Sequence, residues 1–147
     1  MNVRDWKSIK FFSVNEFDSP DQRGSGKFMK ESFVKKLDKA RKIAGIPFRI
    51  NSGYRTKAHN RKVGGVSNST HLSGWAADIR VSSNKARRTI LKALIEVGLD
   101  RRIGIGRNFI HVDDDPSKPD SYWTYYSGSN SLARSINRLF KRKDVEY

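Results

Sequence analysis

The chain contains no cysteine, which removes disulfides, thiolate metal sites and cysteine nucleophiles together. Any metal ion it holds must therefore be gripped by His, Asp or Glu. Long apolar runs are missing as well: nothing approaches the ~18 consecutive apolar residues that span a membrane. Residues 1–12 interleave Arg4, Asp5, Lys7 and Lys10 with their apolar positions, and lack the apolar stretch of roughly 7–15 residues of a secretory signal. The expectation is a protein made in the cytoplasm that relies on other machinery to reach any external target. Acidic residues are scarce, 15 against 30 Lys plus Arg, which leaves a net charge of +15. Such a field attracts polyanions and speeds encounter with them. Anionic cell-envelope polymers and nucleic acid both qualify, and a merely solvated basic surface is the plain alternative.

What is present suits one compact unit. A length of 147 residues, 36% of them hydrophobic, with three Trp, five Tyr and eight Phe, supplies a single core. Apolar residues at helical spacing over residues 28–44, followed by Gly45 and Pro47, predict a helix and its stop. Residues 47–51 read as a short strand, and residues 55–62 as a brief helix. Residues 63–74, rich in Gly, Ser, Asn and Thr, read as an irregular loop. A strand over residues 75–81 leads to a helix capped by Ser82 and Ser83 and closed at Gly98. Residues 102–105 and 108–113 are two strands around a tight turn at Gly106-Arg107, and the aromatic residues 121–126 are another. Short links between the late strands imply antiparallel pairing. The class is thus α+β, a small antiparallel sheet packed by helices in a single domain over residues 1–127.

Residues 128–147 read as a basic amphipathic helix with Leu132, Ile136, Leu139 and Phe140 on one face. Three roles are open to it: docking on the core, holding an anionic wall polymer or membrane surface, and binding nucleic acid. The last is not expected, because no nucleic-acid motif accompanies the charge.

Histidines number three: His59, His71 and His111. A catalytic zinc site takes about three His or carboxylate ligands and keeps a fourth position open. His71, Asp78 and His111 fit that count, from a loop and two strands. By spacing alone a hydrogen-bonded core histidine is the commoner outcome, and His59 reads as structural or as pocket wall. Asp113 shares a strand face with His111. It stands either as a proton acceptor or as the partner that fixes an imidazole. Asp114 and Asp115 precede Pro116 and read as turn residues. Trp75 reads as core, with Trp123 and Tyr125 as candidates for a groove wall.

The local sequence narrows these choices. Ser69-Thr-His71-Leu-Ser-Gly74-Trp-Ala76-Ala-Asp78 matches the Ser-x-His-x-x-Gly-x-Ala-x-Asp signature of the zinc D-Ala-D-Ala metallopeptidases throughout. Phe109-Ile-His111-Val-Asp113 resembles that family's second ligand motif, and Ser52-Gly-Tyr54-Arg55-Thr with His59-Asn60 its upstream block. Residues 16–26 and Val63-Gly-Gly65 resemble the branch that holds many phage and prophage members. The resemblance runs over roughly residues 13–125. It implies the hedgehog/DD-peptidase fold, a zinc ion on His71, Asp78 and His111, and hydrolysis of peptide bonds in bacterial peptidoglycan by a monomeric enzyme. Such an enzyme is released by a phage lysis system or carried on a virion, as an endolysin is. Cross-link endopeptidase and D-Ala-D-Ala carboxypeptidase are both compatible with it. A non-catalytic module binding wall or nucleic acid by charge is the alternative of another class.

The resemblance also implies that Arg55 faces the reacting carbonyl or a substrate carboxylate, and that Tyr54 and Ser69 contact substrate. A guanidinium suits either task, as an oxyanion partner or as a fork on a carboxylate. One departure stands out. Better-known branches carry an acidic residue or His just before the last ligand, where this chain has Asn108 and Phe109. Asp113 is the nearest acidic candidate.

Overall fold

The computed structural model describes residues 1–125. The basic helix expected over residues 128–147 lies outside them. Among the described residues, one sheet of five strands in the order β1-β2-β4-β3-β5 stands against two long helices. The strands are β1 (Arg49–Ser52), β2 (Ala76–Arg80), β3 (Arg102–Ile105), β4 (Phe109–Asp113) and β5 (Ser121–Thr124). The helices are α1 (Glu31–Ala44), the short α2 (Lys57–Lys62) and α3 (Asn84–Glu96).

Period-two alternation sorts the strands cleanly. Ala77, Ile79, Ile103, Ile105, Ile110 and Val112 turn inward and join Phe33, Val34, Leu37, Ile90, Leu91 and Leu94 of α1 and α3 in one core. The opposite face of the same strands carries Asp78, Arg102, Gly104, His111, Asp113 and Trp123. One face therefore supplies stability and the other is left for chemistry.

Helix α1 begins later than its apolar spacing suggests. Phe28 ends a 3₁₀ turn (Ser25–Phe28), and Met29 is fully buried. The backbone there is already committed: Val3 N–H donates to the Met29 carbonyl, Lys30 N–H to Gly74 and Glu31 N–H to Met1. Tertiary hydrogen bonds thus hold residues 29 and 30 extended, although the Met29 side chain serves the core. Helix α3 starts as expected, with Ser83 Oγ accepting from Ala86 N–H at 3.0 Å. Within the loop of residues 63–74, Thr70–Ser73 forms a 3₁₀ turn.

The sheet is mixed rather than wholly antiparallel. Strand β5 runs parallel to β3, with Arg102 opposite Ser121 and Gly104 opposite Trp123. The cause is the connection over residues 114–120. Strand β4 leaves the sheet beside Arg102, where β3 begins, and the chain crosses that end to pair with the free edge of β3. Arginines pin the crossing. Arg101 donates to Asp120 at 2.9 Å, Asp114 at 3.2 Å and the Lys118 carbonyl at 2.6 Å, while Arg102 donates to the Pro119 carbonyl at 2.6 Å.

Candidate metal centre

Asp78 sits in the middle of β2, directly across from His111 on β4 and from Ser52 on β1. Cross-strand partners share a face, so register alone brings Asp78 and His111 together. His71 arrives from the Thr70–Ser73 turn, whose N-cap Ser69 accepts the His71 N–H at 3.3 Å. Arg55 N–H donates to the His71 carbonyl at 3.1 Å and ties the turn to the segment after β1. His71 Nε2 then lies 3.3 Å from Asp78 Oδ1, and His111 Nδ1 lies 2.9 Å from the same oxygen. One donor atom from each residue falls within 4.8 Å of the others.

The remaining nitrogens say which atoms are available to a cation. His71 Nδ1 is 2.7 Å from the Gly53 carbonyl, which only accepts, so Nδ1 carries the proton and Nε2 offers its lone pair. His111 Nε2 is 2.7 Å from Asp113 Oδ2, which leaves Nδ1 to face Asp78. A carbonyl on one imidazole and a carboxylate on the other is the usual backing of histidine metal ligands. With one carboxylate, two buried imidazoles and no sulfur, the donor set fits a zinc ion.

The protonation states agree. Burial lowers the pKa of His71 and outweighs the neighbouring Asp78, so it is neutral and ready to bind. Burial would also lower His111, but Asp113 and Asp78 together outweigh it and raise its pKa. Burial would raise Asp78, yet the His111 and His71 hydrogen bonds hold its carboxyl well below the usual range. In the metal-free protein the two flanking carboxylates thus favour the imidazolium form of His111. Its stabilising contribution is fully present below the ordinary histidine value of 6.5 and is lost as pH rises through the raised folded value. Zinc must displace the Nδ1 proton. Between 6.5 and that raised value, zinc uptake is expected to release close to one proton, and well above it close to none. Calorimetric zinc titration in buffers of differing ionisation enthalpy measures this directly.

Asp113 is wholly buried and fully engaged. Besides His111, its carboxylate accepts from Arg102 Nε at 2.7 Å and Thr70 Oγ1 at 3.3 Å. Burial opposes its ionisation, but His111 and Arg102 overcome that and lower its pKa.

Arg55 lies beside the centre. Its Nη2 is 3.5 Å from Asp78 Oδ2, and it lines the same cleft as His71, Asp78, His111, Ser69, Trp123 and Tyr125. Trp123 packs 5.5 Å from the His111 ring, with Arg102 stacked on it at 5.3 Å. Gly104 makes this possible, since a Cβ there would meet Trp123 Nε1 at 2.6 Å. Burial, with Asp78 and Asp113 adding to it, raises the Tyr125 phenol, so it keeps its proton.

Other expected positions fall elsewhere. Tyr54, expected to contact substrate, packs its ring 5.2 Å from Phe28 and is partly buried against the core. His59 stands on α2, apart from the three converging donors. Trp75 is partly buried against the core. Asp114 pairs with Lys36 and Arg101, and Asp115 accepts from Ser117 in the turn. Arg102, Thr70, Asn60 and Phe109 were not foreseen as site residues. For Arg102 the signal is its register opposite Asp113, which becomes readable only once β3 and β4 are paired.

A family model described as Peptidase M15 matches residues 10–113, a span that includes His71, Asp78, His111, Arg55 and Asp113. No curated protein matches the chain.

Proposed function

The chain belongs to the peptidase M15 family, and on that premise we propose that it cleaves peptide bonds of bacterial peptidoglycan as a zinc endopeptidase. M15 peptidases depend on zinc, and His71, Asp78 and His111 form a group able to hold it. The observation that carries the proposal is the convergence of those donors on one point, each imidazole backed at its other nitrogen. A zinc ion in such a place polarises a carbonyl and acidifies water.

The chain's own residues do the rest. Asp113 orients His111 and keeps its proton on Nε2, so we assign it to positioning rather than to proton abstraction. Its burial and its bonds to His111, Arg102, Thr70 and the Asp115 N–H support that choice. Arg55 reaches Asp78 with one terminal nitrogen and has further N–H groups for the oxyanion or a substrate carboxylate. Tyr125, protonated at the cleft mouth, is a second donor. Trp123 and Phe109 give the cleft an aromatic side. The likeness of residues 16–26 to phage and prophage members supports a phage-associated role at the wall.

Incubating purified protein with wall sacculi, with and without chelator, tests the reading. Zinc-dependent solubilisation that exposes internal amines is expected, and chelator-insensitive solubilisation would overturn the metal mechanism. Release of free D-alanine instead would make the enzyme a carboxypeptidase, and intact sacculi would leave a binding module. Arg55→Ala is expected to keep one zinc while kcat/KM falls by about 10²–10³-fold, as for loss of an oxyanion donor. Kinetics and metal analysis on the same sample check it.

A further inference from the structure

Asn60 is only 2% exposed, and each of its polar groups is engaged. Its Oδ1 accepts from Arg55 Nη1 at 3.0 Å and its Nδ2 donates to the Val66 carbonyl at 2.8 Å. Its backbone N–H donates to Thr56, and its carbonyl accepts from Gly65 N–H at 2.9 Å. A guanidinium only donates and a carbonyl only accepts, so this is the one amide orientation that serves both neighbours.

The segment tied to Asn60 is a wall of the cleft. Val63, Gly64, Gly65 and Val66 line it, with Val63 and Val66 at 53% and 66% exposure. The wall lies directly on the guanidinium: a Cβ at Gly65 would stand 2.0 Å from Asn60 Oδ1 and 3.0 Å from Arg55 Nη1. Ser52 Oγ takes Arg55 Nε at 3.1 Å and Asp78 takes Nη2, leaving one N–H on each terminal nitrogen to point elsewhere. Among the described residues, Asn60 Oδ1 is the acceptor that fixes Nη1.

We infer that Asn60 is a positioning residue that locks Arg55 and the Val63–Val66 wall into one unit, so that substrate seated on the wall meets a guanidinium already aimed. This deepens the peptidase reading and rests on it for its kinetic consequences.

The experiment uses the full, zinc-loaded chain and soluble muropeptides. Asn60→Ala is expected to keep one zinc and lower kcat/KM by about 30–100-fold, as small misplacements of catalytic groups do. In an Arg55→Ala background the same change is expected to cost less than about threefold, because both act through one group. Asn60→Asp keeps the acceptor for Arg55 but loses the donor to Val66, so KM is expected to rise more than kcat falls. It also serves if Asn60→Ala fails to fold. Side-chain nitrogen NMR reads the lock without substrate: Arg55 guanidinium protons exchange slowly in the wild type and faster in Asn60→Ala, or in Gly65→Ala. Losses that multiply across the double mutant, or unchanged guanidinium exchange, would overturn the assignment. A zinc-loaded wild type that cleaves nothing while the exchange result holds would count against the peptidase reading alone.

Discussion

Replacing His71 with alanine is expected to empty the site of zinc and reduce wall solubilisation by roughly 10³-fold or more, the several kcal/mol that a bound metal supplies. Two remaining ligands are one short of the usual protein set. His71→Ala is the cleaner of the two histidine variants, because the other ring nitrogen meets only the Gly53 carbonyl. His111→Ala should lose zinc equally and also fold less stably. It strips a partner from Asp113, which is wholly buried, at a cost of about 1–3 kcal/mol for an under-satisfied polar group. Metal analysis after desalting, with chemical denaturation of the metal-free forms, separates the two effects. Zinc retained at full stoichiometry by His71→Ala would remove it from the ligand set.

Asp113→Asn should produce the second largest change. The present carboxylate accepts from His111 Nε2 on one oxygen and from Arg102 Nε on the other. An amide can satisfy only one of them. With its NH₂ toward His111, it favours the tautomer that carries the proton on Nδ1, the nitrogen that faces Asp78 and would face the metal. Turned the other way, it sets a donor against Arg102. Zinc affinity is expected to fall by about 10–100-fold, the usual effect of losing a ligand's backing partner. Activity should fall with it and recover when zinc is added in excess. A proton acceptor would behave oppositely, keeping its zinc and losing turnover that no metal concentration restores. Zinc titration of activity therefore decides between the two roles that the sequence leaves open for Asp113.

Much of this centre was legible in the linear chain, and the limits have physical causes. His71, Asp78 and His111 stand in compact motifs, so the resemblance to the metallopeptidase signature names them where spacing alone does not. The alternation of β2 and β4 further implies that Asp78 and His111 share a face. The start of α1 was misplaced, because Met29 is apolar at helical spacing while its backbone is tied to Val3, a contact between distant segments. Arg102 and Asn60 were missed for the same reason: their partners are set by strand register and by a loop folded back over α2. Tyr54 stands beside Arg55 in the motif, yet its ring packs on Phe28 and is partly buried against the core. The parallel β5 could not be inferred from the shortness of the link before it, since direction follows from where the chain crosses the end of β3.

That crossing bears on how the fold could diversify. Strand β5 hangs on a single neighbour, yet it brings Trp123 and the following Tyr125 to the cleft, while Asp78 and His111 ride on strands flanked on both sides. Exchanging Tyr125, whose ring touches Phe109 and Trp123 rather than a ligand, would reshape which peptide is accepted and spare the grip on the cation, as if a lock's wards were recut without disturbing its bolt.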